Sequence, residues 1–523
     1  MKPNEIQVPK EKLVLANTEG RLHDKELVTK PISYFRDAFN RFQRNKGSIL
    51  GAIVIGILVL YAIVAPIFSP YTVSYSDDYF RYTLPKVSDK LDFLDGCIEK
   101  ELNESTFLYF YGMGVETGHN AVKNQEYTVE EIVQGKTTSY MYTFRQDSYH
   151  KTGVVFKTGI TLQDYQSIQA YQDLTGIQVI YPITDPNLRP VEDAEDANYW
   201  FTTGVAKNGT TIPTNVTKNE DGTFSYENIY IRHGQNNGFD DQYTSRVRVE
   251  GEGVYEYDYA LPKQGGTFEI RVNYYEYYIY NHTYVLKDGI TTPHFLFGTT
   301  SYGQDIFTCL ASGARFSFIL AIVVASVNLL VGAIYGAIEG YYGGKIDLLM
   351  ERFVEILSAV PFMIVVTLLK YHMNTSPQVL ILFISFFLTG WIGMAGRTRM
   401  QFYRFKNQEY VLAARTLGAK DTRIMFKHIF PNSLGTLITS SVLVIPGMIF
   451  SETSLSYLGI INLSTGNMTS VGTLLANAQP YLETYPHMIL FPSIFICLLM
   501  LSFNLFGNGL RDAFNPSLRG AED

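Results

Sequence analysis

The sequence predicts an all-α polytopic membrane protein of six transmembrane helices with an inserted, β-rich α+β extracellular domain. Two observations predict this fold class. Residues 48–69 and 310–510 are dominated by apolar runs, and a run of about 20 uncharged residues crosses roughly 30 Å of hydrocarbon. Between them, residues 71–298 are polar and tyrosine-rich, with 32 acidic against 18 basic residues. A membrane part and a separate polar part therefore share one chain of 523 residues.

The first elements lie before and in the first apolar run. Residues 1–30 have no pattern and predict a cytoplasmic tail. In residues 31–46, phenylalanines recur at helical spacing between basic residues, which predicts an amphipathic helix in the membrane interface or against a partner. Ser48–Phe68 follows as the first transmembrane helix, and the basic residues before it predict a cytoplasmic N-terminus. More than forty residues precede this helix, so we expect a retained anchor and not a cleaved signal peptide.

Residues 72–292 are then expected outside the cell as a domain of their own. Apolar and polar residues alternate over 268–274, which predicts a half-buried strand. Thr161, with Asp164 three residues later, predicts the start of a helix that stops at Gly176. Hairpin turns are predicted at three dipeptides: Asn208-Gly209, Asp221-Gly222 and Asp288-Gly289.

Composition and spacing exclude several functions. The acidic block argues against nucleic acid as a partner. Three scattered cysteines predict no disulfide framework. The histidines of the polar block have no metal-ligand spacing, so we expect no metal site; they are His119, His150, His233, His282 and His294. The nearest match to a phosphate-binding loop is at Gly344-Lys345. Glu339 stands where that motif needs its first glycine, and Ile346 where it needs serine or threonine. We therefore expect no ATPase site and no cofactor bound directly.

The second apolar part, residues 293–523, predicts the other five transmembrane helices. Their expected bounds are Phe316–Glu339, Phe353–Leu369, Val379–Ala395, Leu434–Ser456 and Pro486–Phe506. Glycines recur every four residues in the first of these, at Gly332, Gly336 and Gly340, which predicts close approach of a neighbouring helix. Basic residues greatly outnumber acidic ones over 397–432, which predicts a cytoplasmic loop and a cytoplasmic C-terminus.

Within that loop, residues 409–432 predict two short helices with a hinge. Gly418 supplies the left-handed position that ends the first helix. Asp421 is expected to cap the second helix, and Pro431 to open a further one. Ile424 and Phe426 are expected on the apolar side of the second helix. Residues of this kind carry no catalytic chemistry, so the segment is expected to press on another protein.

This loop resembles the EAA loop of permease subunits of ABC importers, most closely the C-type permease of oligopeptide and dipeptide importers. Three further stretches resemble the same family: residues 34–71, the signature at 294–317, and residues 503–520. In the signature, Thr300, Gln304 and Cys309 depart from the family pattern. In the loop, Leu412 stands where the family has an acidic residue.

The resemblance implies a type I ABC importer permease fold in which the loop contacts a cytoplasmic ATPase. The positions it implicates are Glu409, Ala413, Ala414, Gly418, Ala419, Ile424, His428, Pro431 and Asn432. The implied partners are a second homologous permease, two ABC ATPase subunits that hold ATP and magnesium, an extracellular substrate-binding lipoprotein, and the lipid bilayer.

The residues leave some alternatives open. Relatives with the same signatures carry nickel or glutathione as well as peptides. A membrane-anchored receptor or adhesin is a different class, but it has no need of a coupling loop. A surface enzyme would need a catalytic constellation between Tyr71 and Thr292. The charges at Asp347, Arg352 and Glu355 fit either a contact near the ATPase or solvated helix ends. The inserted domain could seat the binding protein or be a structural cap.

Overall fold

A computed structural model describes residues 34–88, 91, 94–134, 137–181, 216–218, 224–226, 245–246, 258–263, 266–464 and 468–514. The predicted tail at 1–30 and the turn at Asn208-Gly209 lie outside these residues.

The helices and strands of this part are as follows, in chain order. The α-helices are α1 (Tyr34–Arg44), α2 (Lys46–Phe68), α3 (Glu104–Thr117), α4 (Leu162–Thr175), α5 (Tyr274–Tyr280), α6 (Ile306–Tyr342), α7 (Gly344–Ser358), α8 (Phe362–His372), α9 (Gln378–Gly390), α10 (Ile392–Phe405), α11 (Glu409–Thr416), α12 (Asp421–Arg423), α13 (Phe430–Tyr457), α14 (Val471–Ala478) and α15 (His487–Phe514). Two π-helical turns are Asn281–Leu286 and Ile424–Ile429, and two 3-10 turns are Asp78–Phe80 and Gln479–Tyr481. The strands are β1 (Cys97–Asn103), β2 (Val122–Gln134), β3 (Thr137–Asp147), β4 (Val154–Ile160), β5 (Ile180–Tyr181), β6 (Val216–Lys218), β7 (Phe224–Tyr226), β8 (Ser245–Arg246), β9 (Asp258–Lys263) and β10 (Thr267–Asn273).

Membrane-spanning helices dominate the described chain. Five are long and apolar enough to cross a membrane: α2, α6, the pair α9 and α10, the run from α12 to α13, and α15. A sixth span requires α7 and α8 together, which are bent by 72°. The structure therefore has two helices where one was predicted over Phe353–Leu369. Pro361 at the bend has no N–H to continue the ladder, and its ring disfavours the helical conformation of the residue before it.

The other spans exist where predicted, but their ends lie further out. Helix α6 begins at Ile306, ten residues before the expected start, because Asp305 caps it by accepting a hydrogen bond from the Thr308 N–H at 2.9 Å. Helices α10 and α15 run on to Phe405 and Phe514, past the apolar runs and into polar sequence. Hydropathy marks the part of a helix inside hydrocarbon, so it underestimates helices that project beyond the membrane.

The glycines of α6 do lie against a neighbouring helix, as predicted. A Cβ placed on Gly336 would meet the Ala395 carbonyl oxygen at 2.1 Å, and one on Gly340 would meet the Arg399 carbonyl oxygen at 2.7 Å. Helices α6 and α10 therefore touch along their backbones, which no larger residue permits.

The predicted N-terminal amphipathic helix is α1, and it packs on α15 of the same chain. The rings of Phe42 and Phe506 meet edge to face at 5.4 Å. Ala38 is buried, whereas Phe39 is exposed on the opposite side. One apolar face of α1 is thus used inside the subunit, and the other remains open to lipid or a partner.

The residues between Tyr71 and Thr292 that are described form small antiparallel sheets with three helices. The sheets have the orders β1-β3-β2, β4-β10-β9-β8 with β5 also on β10, and β6-β7. Strands β6 and β7 pair antiparallel around the predicted Asp221-Gly222 turn, which itself lies outside the described residues. Helix α4 has the predicted capping box of Thr161 and Asp164 and ends at Gly176 in the left-handed region.

Two expectations for this part are wrong. Strand β10 is not half-buried, because Glu269, Arg271 and Asn273 are as buried as the apolar residues between them. The strand is central, with β4 along one edge and β9 and β5 along the other. Its side chains are buried on both faces of the sheet, as in sheets that are covered on each side. Asp288-Gly289 is not a hairpin turn either, since it follows a π-helical turn, and Asp288 accepts a hydrogen bond from His282 at 2.6 Å.

Candidate functional site

The loop over residues 406–430 lies at the end of the bundle where α6 and α10 terminate, and we call it the α11 loop. Helix α11 ends at Thr416, and Gly418 takes the predicted left-handed conformation with φ of +80°. The Ala419 N–H returns to the Ala414 carbonyl oxygen at 3.1 Å, which closes the helix end. The predicted hinge between two short helices is therefore present.

The inner side of the α11 loop is fixed to the bundle by an apolar cluster. Val411, Ile424 and Ile429 are fully buried there. They pack with Tyr341 of α6 and Phe402 of α10. A displacement of the loop would therefore be passed directly to the glycine-lined contact between those two helices.

The prediction for the second short helix was partly wrong. Ile424 is buried as expected, but Phe426 is exposed and Met425 is buried instead. The reason is that residues 424–429 form a π-helical turn, whose wider period changes which side chains face inward. Pro431 lies in the first turn of α13, as predicted. Helix α13 follows directly on the π-helical turn, so residues 421–457 form one membrane span.

Polar contacts hold the two ends of the α11 loop together. Asp421 does not cap its helix; it is the first helical residue, and it accepts a hydrogen bond from the Tyr341 hydroxyl at 2.6 Å. The Asn432 amide donates to the His428 carbonyl oxygen at 2.8 Å and to the Tyr410 hydroxyl at 3.3 Å. Burial raises the pKa of Tyr410, so its hydroxyl stays neutral and can accept this bond.

The outer side of the α11 loop is apolar and uncovered. Leu417 has 87% of its surface exposed and Leu412 has 47%, and neither residue lies in a membrane span. These two exposed leucines are available for contact with another protein. Sequence reasoning did not single out Leu417; the signal was an apolar residue directly before the hinge glycine.

The structure places the motif residues in three environments. Exposed members are Glu409, Ala413, Gly418, Pro431 and Asn432. Half-buried members are Ala414, Ala419 and His428. Ile424 is fully buried, so it acts by packing inside the subunit.

A charged cluster next to the α11 loop was not resolved by sequence reasoning. Arg399 of α10 binds both carboxylate oxygens of Asp347, at 2.6 and 3.0 Å. Glu339 and Glu351 each lie 3.4 Å from the same guanidinium. Asp347 is thus an internal contact that ties α7 to α10, whereas Arg352 pairs with Glu355 in the open.

The signature at 294–317 is at the opposite end of the bundle and makes structural contacts. A Cβ on Gly298 would lie 2.4 Å from the Thr83 carbonyl oxygen, and one on Gly303 would collide with the backbone of Asp77. Thr299 and Thr83 also exchange backbone contacts, with the Thr299 N–H donating to the Thr83 carbonyl oxygen at 2.9 Å. The glycines are needed because the chain after α2 packs backbone to backbone on this turn.

Electrostatics at this end are dominated by one buried acid. Asp305 is almost fully buried, and this burial raises its pKa to about 6 although Thr308 donates hydrogen bonds to it. In the sheet part, His119 lies 2.5 Å from Glu276 and His282 lies 2.6 Å from Asp288. In the described part of the chain, no group of three or more His, Cys, Asp or Glu is arranged to hold a metal ion.

Comparisons with known proteins identify the family of this chain. Residues 328–520 match the family model described as "binding-protein-dependent transport system inner membrane component", and residues 33–85 match "N-terminal TM domain of oligopeptide transport permease C". An oligopeptide transport system permease protein of Bacillus subtilis, OppC, is 44% identical over 223 residues, which are 43% of this chain and 72% of that protein. The chain belongs to this family of transport permeases.

Other relatives of this permease have similar names. The dipeptide transport system permease protein DppC of B. subtilis is 40% identical over 43% of this chain and 69% of its own length. OppC of Haemophilus influenzae is 41% identical over 43% of this chain and 71% of its own length. Among solved structures, the MetNI methionine ABC transporter aligns with 13% identity and a TM-score of 0.33, over 40% of this chain and 96% of that chain. Residues 86–327 lie between the two stretches that the family models match.

Proposed function

We propose that this permease moves oligopeptides or dipeptides across the cell membrane in an ATP-driven importer. The names of its relatives, which are oligopeptide and dipeptide transport permeases, support this cargo. The permease would pair with a second, homologous permease and receive cargo from an extracellular substrate-binding lipoprotein.

The observation that carries the proposal is the α11 loop, with an exposed apolar surface outside and a buried anchor inside. Leu417 and Leu412 offer the surface on which an ATPase subunit would seat. Val411 and Ile424 join that surface to α6 and α10. ATP and magnesium would be held by two separate ATPase subunits, and their closure would displace the loop and the helices behind it.

The charge distribution supports an orientation. Basic residues before α2 and in 397–432 favour a cytoplasmic position for both, with cytoplasmic termini. Residues 72–292 would then be extracellular and form the inserted α+β domain, near the site where a loaded binding protein docks. Seating that protein and acting as a structural cap remain the two candidate roles of this domain.

Cargo is tested by deleting the gene and measuring uptake of labelled peptides, nickel and glutathione by the cells. The proposal expects loss of peptide uptake that returns when the gene is restored. Loss of only nickel or glutathione uptake would contradict the cargo. Normal uptake of all three, with loss of adhesion or surface binding, would instead favour a receptor or adhesin.

A further inference from the structure

A groove of about 750 Å³ lies between the C-terminal half of α2, from Ile57 to Phe68, and the segment 289–296 that leads to α6. Its volume falls within the roughly 300–1,000 Å³ typical of small-molecule sites. One wall is the outward face of α2, formed by Ile57, Leu60, Val64 and Phe68. The opposite wall comes from a segment that is outside both stretches matched by the family models.

The wall on α2 is continuous with the face that this helix turns to hydrocarbon. Helix α2 buries Gly51, Leu58 and Ala62 against the bundle. Ile57, Leu60 and Phe68 point the other way and are 58%, 60% and 80% exposed. The groove therefore opens directly into the bilayer that this span requires.

The chemistry of the groove changes along its length. Its deep part is aliphatic and aromatic, and the Tyr61 hydroxyl that borders it already donates to the Phe307 carbonyl oxygen at 2.7 Å. At the end of α2 the lining becomes polar, with Ser69, Thr291, Thr292, His294 and the buried carboxyl group of Asp305. An amphiphile that stands upright in the membrane has this same order of groups, apolar within the hydrocarbon and polar at the interface.

We propose that this groove binds a membrane phospholipid, with an acyl chain beside Leu60 and Val64 and the headgroup beside Thr291 and Thr292. A peptide fits less well because its backbone needs hydrogen-bonding partners along its length, and the deep part is apolar. The inference rests on the proposed topology only in assigning the lipid to the outer leaflet.

The bound lipid would add a contact between α2 and the segment 289–296. The segment 289–296 leads into the Asp305 cap of α6, and its Phe295 stacks on Tyr71 at the end of α2 with ring centroids 4.9 Å apart. An acyl chain in the groove would fill the space between α2 and this segment, and it would hold the helix against the sheet part.

The test is photolabelling of the purified importer complex in lipid nanodiscs. The probe is a phosphatidylcholine with a diazirine on one acyl chain, and labelled peptides are mapped by mass spectrometry. Leu60→Trp and Val64→Trp fill the groove, while Ile53→Trp is the matched control, because Ile53 is 54% exposed on α2 but lies outside the groove. Tryptophan is tolerated on lipid-facing helices, so the subunit should still fold.

The expected result is strong labelling of α2 around Leu60 and Val64, reduced severalfold by the two groove variants and unchanged by Ile53→Trp. Equal labelling along α2 in all variants would overturn the proposal. So would a cross-link from Leu60→Cys to the second permease in the absence of lipid labelling, since the groove would then be a subunit contact. Labelling does not depend on cargo, so a failed peptide-uptake assay on the same complex would count only against the proposed function.

Discussion

Two neighbouring residues of the α11 loop meet opposite structural requirements. Leu417 is almost fully exposed and free to be covered by a partner. Gly418 has open space around it but a φ of +80°, so its requirement is conformational. A substitution at either position therefore tests a different part of the coupling proposal.

For Gly418→Val we expect transport to fall sharply while the subunit still inserts in the membrane. A β-branched residue held in the left-handed region costs roughly 1–3 kcal/mol, and relief of this strain would move the loop. Gly176→Val is the matched control, because Gly176 ends α4 at φ of +71° and also has no neighbour within 4 Å of a Cβ. Peptide uptake per inserted subunit is the measurement. Equal uptake in the two variants would remove the loop conformation from the mechanism.

For Leu417→Asp we expect loss of ATPase association with little change in the thermal stability of the isolated subunit. An exposed substitution usually shifts stability by no more than about 0.5 kcal/mol. A charge buried without a partner in the contact costs about 1–3 kcal/mol or more, so copurification of the ATPase should fall markedly. Ala414→Asp should also lower copurification of the ATPase, because Ala414 lies in α11, three residues before Leu417.

The control for both aspartate variants is Leu174→Asp. Leu174 is 75% exposed on α4, in the sheet part of the chain. If copurification of the ATPase falls as much in the control as in Leu417→Asp, or does not fall in Leu417→Asp, the surface around Leu417 does not contact the ATPase.

At the scale of elements, long apolar runs were sufficient to predict the membrane spans, because hydrocarbon burial depends on composition over about 20 residues. The cap of α4 and the hinge at Gly418 were also predictable, since both follow from local hydrogen bonding and φ. The bend before Pro361 and the π-turn at 424–429 were not predicted. Both depend on how neighbouring helices pack, which sequence periodicity does not encode.

Strand β10 illustrates the same limit in the sheet part. Its alternation of apolar and polar residues indicated one solvent-exposed face, yet Arg271 is fully buried. Packing against both faces of the sheet decided the burial, and a single sequence gives no such information. For the coupling site, the hinge was predictable from residues, but the exposure of Leu417 required the fold.

The sheet β1-β3-β2 offers a way to test the role of residues 72–292. Cys97 and Asp147 face each other in register, so residues 98–146 can be replaced by a short Gly/Ser linker. Asp95 would then lose Lys123 and Arg145, and its side chain is only 1% exposed, so Asp95→Asn is included. Asp95→Asn alone is the control.

We expect the shortened subunit to keep its spans and ATPase, because the α11 loop lies at the other end of the bundle. If the sheet seats the binding protein, docking should weaken and lose part of its salt dependence, since complementary charge mainly speeds and orients encounter. Binding-protein affinity at low and high salt is the measurement. Unchanged affinity and salt response would leave this sheet a structural cap.

For the molecule as a whole, the proposed function requires the two ends of the bundle to lie on opposite sides of the membrane. Protease added to intact cells should cut within 72–292 and spare 397–432, because basic segments remain in the cytoplasm. Permeabilised cells should lose both regions. Cleavage within 397–432 in sealed cells would contradict the orientation.

The central claim is that ATP hydrolysis by partner subunits drives peptide movement through this permease by way of the α11 loop. The most direct measurement is uptake of a labelled oligopeptide into proteoliposomes that contain the purified importer, with its binding protein outside and ATP inside. We expect uptake to require both ATP and the binding protein. Uptake should be lost in Leu417→Asp and kept in Leu174→Asp. Uptake that is independent of ATP, or equal in both variants, would contradict it.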